Sequence, residues 1–560
     1  MSGYADSVIR AGRVRRRVIA AGVVALLTAS CAPNPVPPPE PSPNTSGGQG
    51  IYVHATGTEP LGFDPAFATD PASEQLARQI FEGLVAPDEV GTGVQPALAE
   101  AWEHNDEHTE WVFTLREGVQ FHDETAFTPS AVCANFDRWH RWRGRAARTA
   151  ETYRAHFFRD GHELYHSCTR VDDRRVRITL TRPTPNLLEV LAQPQFAMQS
   201  PTALAEYRAD ADSATADPRA SEYATAHPTG TGPFRFLAHE PLVQVVVERN
   251  PDYWGQPAEL NKAVLRVVPD SKARLADLAA GRVNGFEVLQ PADDADLAEL
   301  AEKGSKPVVI NRRQPSVLYV GFNQHNPMLA DVRVRRAIAL GINRQELLDG
   351  VILPTDTRPA HELIPPGMLG HAGIEAEEPD PELAKLRLTE AGYYGDDLTV
   401  KLAYPSGVTL PYLPAPEETY VVVAEQLEAL GFTVQPVAAS WPDYLDLISN
   451  PNRADEHDLH LMGWSSSSSH PANLLVPKFG AQNAEFGFVQ PAISTTVNAA
   501  ATDPGRDPQR TWADVSLRLD DFRAVVPLAY PQPHLVLDPE VRGYRPSPVA
   551  AETWNTVVVE

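Results

Sequence analysis

Cysteine is scarce in this chain. Three in 560 residues, at positions 31, 133 and 168, are too few for a disulfide scaffold, and none stands in a C-x-x-C pair. Zinc ribbons and thioredoxin-type redox sites are excluded by that count. The phosphate-cradling string G-x-x-x-x-G-K-[ST] is missing, so the chain is not a P-loop ATPase, and the nucleophile elbow G-x-S-x-G is missing too. No repeat recurs at about 20 to 50 residues, which argues against solenoids and propellers. Positive charge is in deficit: 48 Lys and Arg against 73 Asp and Glu leave a net charge of −25. Such a surface repels phosphate backbones and makes nucleic acid a poor partner.

What is present begins with an address. Arg10, Arg13, Arg15, Arg16 and Arg17 precede a short apolar run, Val18 to Leu27, and small residues lead to Cys31. The run is too short to span a hydrocarbon core of about 30 Å as a mature helix. A charged start, a short apolar segment and small residues before a cut are the parts of a secretory signal, expected over residues 1–30. The cysteine at the cut resembles a bacterial lipobox, which implies lipidation of Cys31 and a membrane anchor. Thr28 stands where that pattern usually has Leu, with Leu27 one place further back. An ordinary secretory signal with an incidental cysteine is the alternative. Residues 31–50 are rich in Pro, Ser and Gly and read as a stalk, extended at first and looser later.

Beyond the stalk, hydrophobic residues make up 42% of the whole chain, enough for a sizeable core, and its length implies two or three domains. Trp111, Phe113 and Leu115 alternate with polar or smaller neighbours, as do Val176, Ile178 and Leu180; both patterns predict half-buried strands. Val243 to Glu248 reads as a third strand after the Gly230–Pro233 turn. Asp331 is placed to cap a helix carrying Val334, Ile338, Gly341 and Ile342. Val423, Leu427 and Leu430 recur at helical spacing, Gly431 stops that helix, and Phe432 to Val437 resumes as strand. Helix passing directly into strand, with mixed order elsewhere, argues for an α/β fold.

Several segments then line up with one family. LGFDPAFATDPASEQLARQIFEGLV, PALAEAWE and WVFTLREGVQFHDETAFTPSAV are followed in order by GTGPFRF, ERNPDYWG, VGFN, DVRVRRAIALGINRQ and Gly463-Trp464. The body resembles the peptide- and nickel-binding solute receptors of ABC importers, family 5. That resemblance implies a two-lobed periplasmic-binding-protein-like α/β fold, class II, of the large cluster C type. It implies a first lobe over 51–314 with an inserted subdomain near 90–210, a second lobe over 315–529, and a return to the first over 530–560. It also implies an extracytoplasmic, monomeric receptor, without enzymatic activity or cofactor, that delivers a peptide-like ligand to permease subunits. A sensor or cell-envelope scaffold on the same fold is the alternative. Asp252 to Gly255 and Asp123 are read as turn-forming, with Glu124 where the family usually has Gly.

Dipeptide-binding relatives hold the ligand's amine with an Asp after the Gly-Trp pair and its carboxylate with an Arg before a Pro-Tyr pair. Here Ser467 stands at the first place and Leu410 at the second. A free dipeptide zwitterion would be poorly compensated, so hydroxyls, backbone groups and aromatic faces are expected to hold a longer or less charged molecule. By the same carry-over, the lining candidates are Phe63, Thr69, Asn323, Leu410, Tyr412, Trp464, Ser465, Ser466, Ser467 and Ser468. Core packing is the competing reading for the aromatic ones.

Cys133 and Cys168 lie 35 positions apart. An extracytoplasmic address permits a disulfide, and two buried thiols are the alternative. The string His104-Asn105-Asp106-Glu107-His108 matches an H-x-x-E-H zinc motif, but it precedes a strand rather than lying on a helix, so no metal is expected there. His162 with His166, and His457 with His460, read as solvated surface.

Overall fold

The computed structural model describes residues 50–560 except 90, 92, 160, 288–293, 303–305, 313, 351–355, 466–469, 482, 488–489, 504 and 506. The expected signal, Cys31, nearly all of the stalk, and Ser466, Ser467 and Ser468 therefore lie outside the described residues.

β1 (Ile51–Thr56) opens the body, with Tyr52 packed on one face and Val53 and Ala55 on the other. Asp70 accepts from the Ser73 N–H, and Pro71 fills the first turn of α1 (Pro71–Ile80), which suits a helix start. Next comes a subdomain with its own sheet. β2 (Ala99–His104) and β3 (Glu110–Leu115) form a hairpin, and α2 (Pro129–Arg141), α3 (Gly144–Thr149) and α4 (Glu151–Phe157) follow. β4 (Tyr165–Arg170) and β5 (Arg175–Leu180) complete an antiparallel sheet in the order β2-β3-β5-β4. The alternation of Trp111, Phe113 and Leu115 points all three into a core shared with Phe136 and Trp139 of α2.

The chain then builds β6 (Phe234–Glu240), β7 (Gln244–Arg249), β8 (Lys262–Val267), β9 (Gly285–Glu287) and β10 (Val308–Asn311). It crosses to β11 (Ser316–Phe322), β12 (Arg358–Pro359), β13 (Thr399–Ser406), α5 (Pro416–Ala429), β14 (Thr433–Ser440), β15 (Leu459–Ser465), α6 (Ala472–Phe479) and β16 (Val525–Tyr530), and returns as β17 (His534–Leu537). Two large mixed sheets result, in the orders β6-β7-β8-β1-β9-β17-β10 and β12-β16-β11-β15-β13-β14. Each has apolar clusters on both faces. Along β11, Leu318, Val320 and Phe322 enter one cluster while Val317 and Tyr319 enter the other.

Local expectations meet the structure in detail. Asp331 caps the helix Val332–Gly341, accepting from the Arg333 N–H at 2.9 Å. Gly431, at φ 99°, ends α5 and admits β14 two residues later. His104 and His108 flank the β2–β3 turn with their rings stacked at 4.2 Å, so the zinc-protease string lies in a hairpin. Cys168 lies on β4, the strand that precedes that of Val176. Cys133 on α2 and Cys168 are joined in a disulfide with Cα atoms 5.2 Å apart, which ties a helix to an edge strand of the subdomain.

Two of the sequence motifs also meet. The His122 Nε2–H donates to the Gly232 carbonyl at 2.9 Å, and the Gly230 N–H donates to Nδ1 at 3.4 Å. The ring is thus used at both nitrogens in its neutral form. Burial, the largest cause, holds its pKa down to about 4.

Alkylation under denaturing conditions is expected to label Cys133 and Cys168 only after reduction. The chain-entropy model gives about 3–4 kcal/mol of stability for such a loop. Equal labelling without reductant would refute the bond. For His122 the folded pKa lies below the unfolded value of 6.5. Its contribution is therefore complete above that value and is lost as pH falls toward 4. Urea unfolding of His122→Gln between pH 7 and 4 should lose about 2–3 kcal/mol less stability than the parent chain. Superimposable pH profiles would show that the ring plays no such part.

Candidate functional site

The chain passes between the large sheets twice, between β10 and β11 and between β16 and β17. These crossings run side by side, for the Arg312 N–H donates to the Pro533 carbonyl at 3.2 Å. The buried Arg312 guanidinium reaches Glu287 at 2.8 Å and Glu552 at 2.7 Å. Those carboxylates hold its pKa up despite burial. One crossing is thus fastened to β9 and to the C-terminal segment.

A cavity of about 1650 Å³ lies between the lobes with walls from both. On the first lobe, β1 presents His54, buried with its Nδ1 3.0 Å from the Tyr52 hydroxyl and its ring stacked on Trp554. Burial, with Arg312 and Arg274 adding to it, lowers its pKa to about 3, so it faces the cavity uncharged. Asp70 and Glu74 of α1 stand on the same wall. Gln195 donates to Glu74 Oε1 and the Ala68 carbonyl, both at 2.8 Å, and its own oxygen has no partner among the described residues.

The second-lobe wall is built from the loop after β13, the end of β15, and α6. A Cβ on Gly463 would come within 2.5 Å of the Tyr412 ring and 2.6 Å of the Val317 carbonyl, so only glycine lets that ring lie against β15. Burial and the neighbouring Glu485, Asp70 and Glu74 raise the pKa of the Tyr412 hydroxyl, which stays a donor. Ser465 lies opposite Ser316 with hydroxyl oxygens 2.7 Å apart. Behind them, Glu485 accepts from Tyr319 at 2.7 Å, pairs with Lys478 and lies 3.3 Å from His460. Lys478 and His460 hold that carboxyl below its usual range against the effect of burial. Asn473, in the first turn of α6, lines the cavity at 6% exposure, and neither its Oδ1 nor its Nδ2 is hydrogen-bonded among the described residues.

Of the expected residues, Thr69, Leu410, Tyr412, Trp464 and Ser465 line the cavity. Phe63 does not: it is buried against Phe236 and His239 in the first-lobe core. Asn323 does not either, because its amide nitrogen donates to the Ala454 and His457 carbonyls and its oxygen accepts from the His325 N–H. His457 and His460, expected on the surface, are buried. β15 is an inner strand of its sheet, so His460 turns toward Glu485 rather than water. His54, Gln195, Asn473 and Lys478 were not picked out from the sequence. Asn473 sits in the stretch after Gly463-Trp464, but a lone Asn there carries no signal of being left unpaired.

Two α/β lobes joined by paired crossings around a shared cavity define the periplasmic-binding-protein class. The chain belongs to the Bacterial extracellular solute-binding proteins, family 5 Middle, whose model matches residues 93–486. Members of this family are solute-binding proteins rather than enzymes. Over 537 residues the chain is 28% identical to heme-binding protein A of Haemophilus influenzae, covering 92% of this chain and 93% of that protein. It is 26% identical over 530 residues to the dipeptide-binding protein of Escherichia coli, covering 91% and 94%. The fold matches the Helicobacter pylori periplasmic binding protein DppA in complex with peptide STSA, with a TM-score of 0.78 at 22% identity over 92% of this chain and 99% of that one. It also matches the Escherichia coli murein tripeptide binding protein MppA, with a TM-score of 0.75 at 20% identity over 92% and 99%. Among the described residues no helix is long and apolar enough to cross a membrane.

Replacing Arg312 with Met leaves Glu287 and Glu552 buried without their counter-ion. A loss of about 3–5 kcal/mol in denaturant unfolding is expected, with partial recovery when Glu552→Gln is added. A stability unchanged by Arg312→Met would remove the crossing anchor from consideration.

Proposed function

We propose that this chain is the ligand-capturing subunit of an ABC importer, taking a peptide or peptide-like solute between its lobes and passing it to membrane permease subunits. Lipid on Cys31 anchors it at the outer face of the cell membrane, with residues 31–50 as the tether. The first lobe is taken as 51–314 plus 530–560, and the second as 315–529. The observation that carries the reading is the cavity of about 1650 Å³ walled by both lobes. Relatives described as dipeptide-binding support a peptide-like occupant.

Leu410 and Ser467, at the places of the Arg and Asp that grip free dipeptide ends in relatives, turn the reading toward an occupant held by its interior. A peptide unit offers one N–H and one C=O. Asn473 supplies an acceptor and donors that no group among the described residues uses, and the Tyr412 hydroxyl supplies a further donor. Trp464 gives a flat apolar face. An unmet buried amide costs about 1–3 kcal/mol, and a bound peptide group would relieve it.

Native mass spectrometry of freshly purified protein should show a retained peptide-like mass that is released on unfolding. Trp464→Ala should weaken binding of that compound at least tenfold, about 1.4 kcal/mol, in a chain that still unfolds cooperatively. Full affinity in the variant would remove the proposed wall.

A further inference from the structure

The charge of the chain reverses locally beside the cavity. From Arg138 to Arg159 the sequence holds seven arginines and one acid, Glu151, within a protein of net charge −25. This stretch covers the end of α2 and all of α3 and α4, and α4 packs against α6 of the second lobe. Some of these arginines have structural duties. Arg138 is buried between Asp64 and Asp210, and Arg145 pairs with Asp217 at 3.1 Å. Arg143, Arg148 and Arg154 differ. All three are exposed and line the cavity, and none forms an ion pair among the described residues. Arg143 donates only to the His140 and Trp142 carbonyls. Glu151 lies near Arg154 and Lys478 and offsets part of this charge.

Of the acids on the cavity walls other than Glu151, three are paired with cations and two accept from neutral N–H groups. Asp70 accepts from the Ser73 and Leu61 N–H groups, and Glu74 from Gln195. Glu287 is held by Arg312, Glu485 by Lys478, and Asp446 by Arg453 at 3.0 Å. Positive charge without an ion-pair partner among the described residues is thus concentrated at the subdomain end, where Glu151 is the acid beside it. Guanidinium groups match carboxylates with paired N–H donors. A cluster of like charge at a cleft also draws opposite charge toward it, more strongly at low salt.

We propose that the cavity selects anionic peptide-like ligands, with Arg143, Arg148 and Arg154 meeting side-chain carboxylates that project toward the subdomain. This rests on the peptide reading above and narrows it. These groups are exposed, so the preference is of the order of tenfold and falls with ionic strength.

The test is calorimetric titration of the full chain with three end-blocked peptides, acetyl-pentaglutamate amide, acetyl-pentaglutamine amide and acetyl-pentalysine amide, at low and high salt. Pentaglutamate should bind at least tenfold tighter than pentalysine at low salt. That gap should narrow at high salt and shrink to about twofold in the Arg143→Ala, Arg148→Ala, Arg154→Ala triple variant, whose melting temperature serves as the folding control. Equal binding of the three peptides, or an acidic preference that survives the triple variant, would overturn the charge assignment and leave the peptide reading standing. Silence of all three would overturn both.

Discussion

The architecture depends on how one chain can serve two sheets. Each crossing between them takes only a few residues, and without fastening such segments would leave the lobes loosely related. Arg312 supplies the fastening. Its amide ties one crossing to the other through Pro533, and its guanidinium ties that crossing to Glu287 and Glu552 of the first body. Burying a cation between two carboxylates is favourable only where the geometry is tight, which makes this point intolerant of partial change. The same Glu287 also faces the cavity, so the anchor and the solute chamber share a wall.

The chamber itself follows from strand ends. β1 delivers His54 and the loop beyond it from one sheet, while β15 delivers Gly463, Trp464 and Ser465 from the other. Gly463 matters through what it lacks, since a side chain there would push the Tyr412 ring off the strand. The chemistry offered to a solute is a mixture of aromatic faces and uncharged amides with a positive fringe. Of the carboxylates there, Glu287, Asp446 and Glu485 are paired with cations of the protein itself.

How far this was readable from sequence depends on the kind of signal. Strand alternation at Trp111, Phe113 and Leu115, the Asp331 cap and the Gly431 stop are local, and each residue acts where it stands. Burial of His460 is not local. It follows from β15 being an inner strand, which no window around His460 reveals. Phe63 and Asn323 were taken from motif position, yet nearby motif residues can point either into the cleft or into the core. The unused amide of Asn473 could not be foreseen, because being left without a partner is a property of everything that surrounds a group. The arginines of α3 and α4 were visible as letters, but only the fold brings them to the chamber rather than to open surface.

The two bodies come close together at Gly57. A Cβ on Gly57 would lie 3.1 Å from the Thr409 carbonyl, so a bare glycine meets the opposite lobe there. A side chain at this position would press on that carbonyl and require the two halves to give by a few tenths of an ångström. A hydrogen atom, standing where other residues carry carbon, thus lets the two bodies meet this closely beside the cavity.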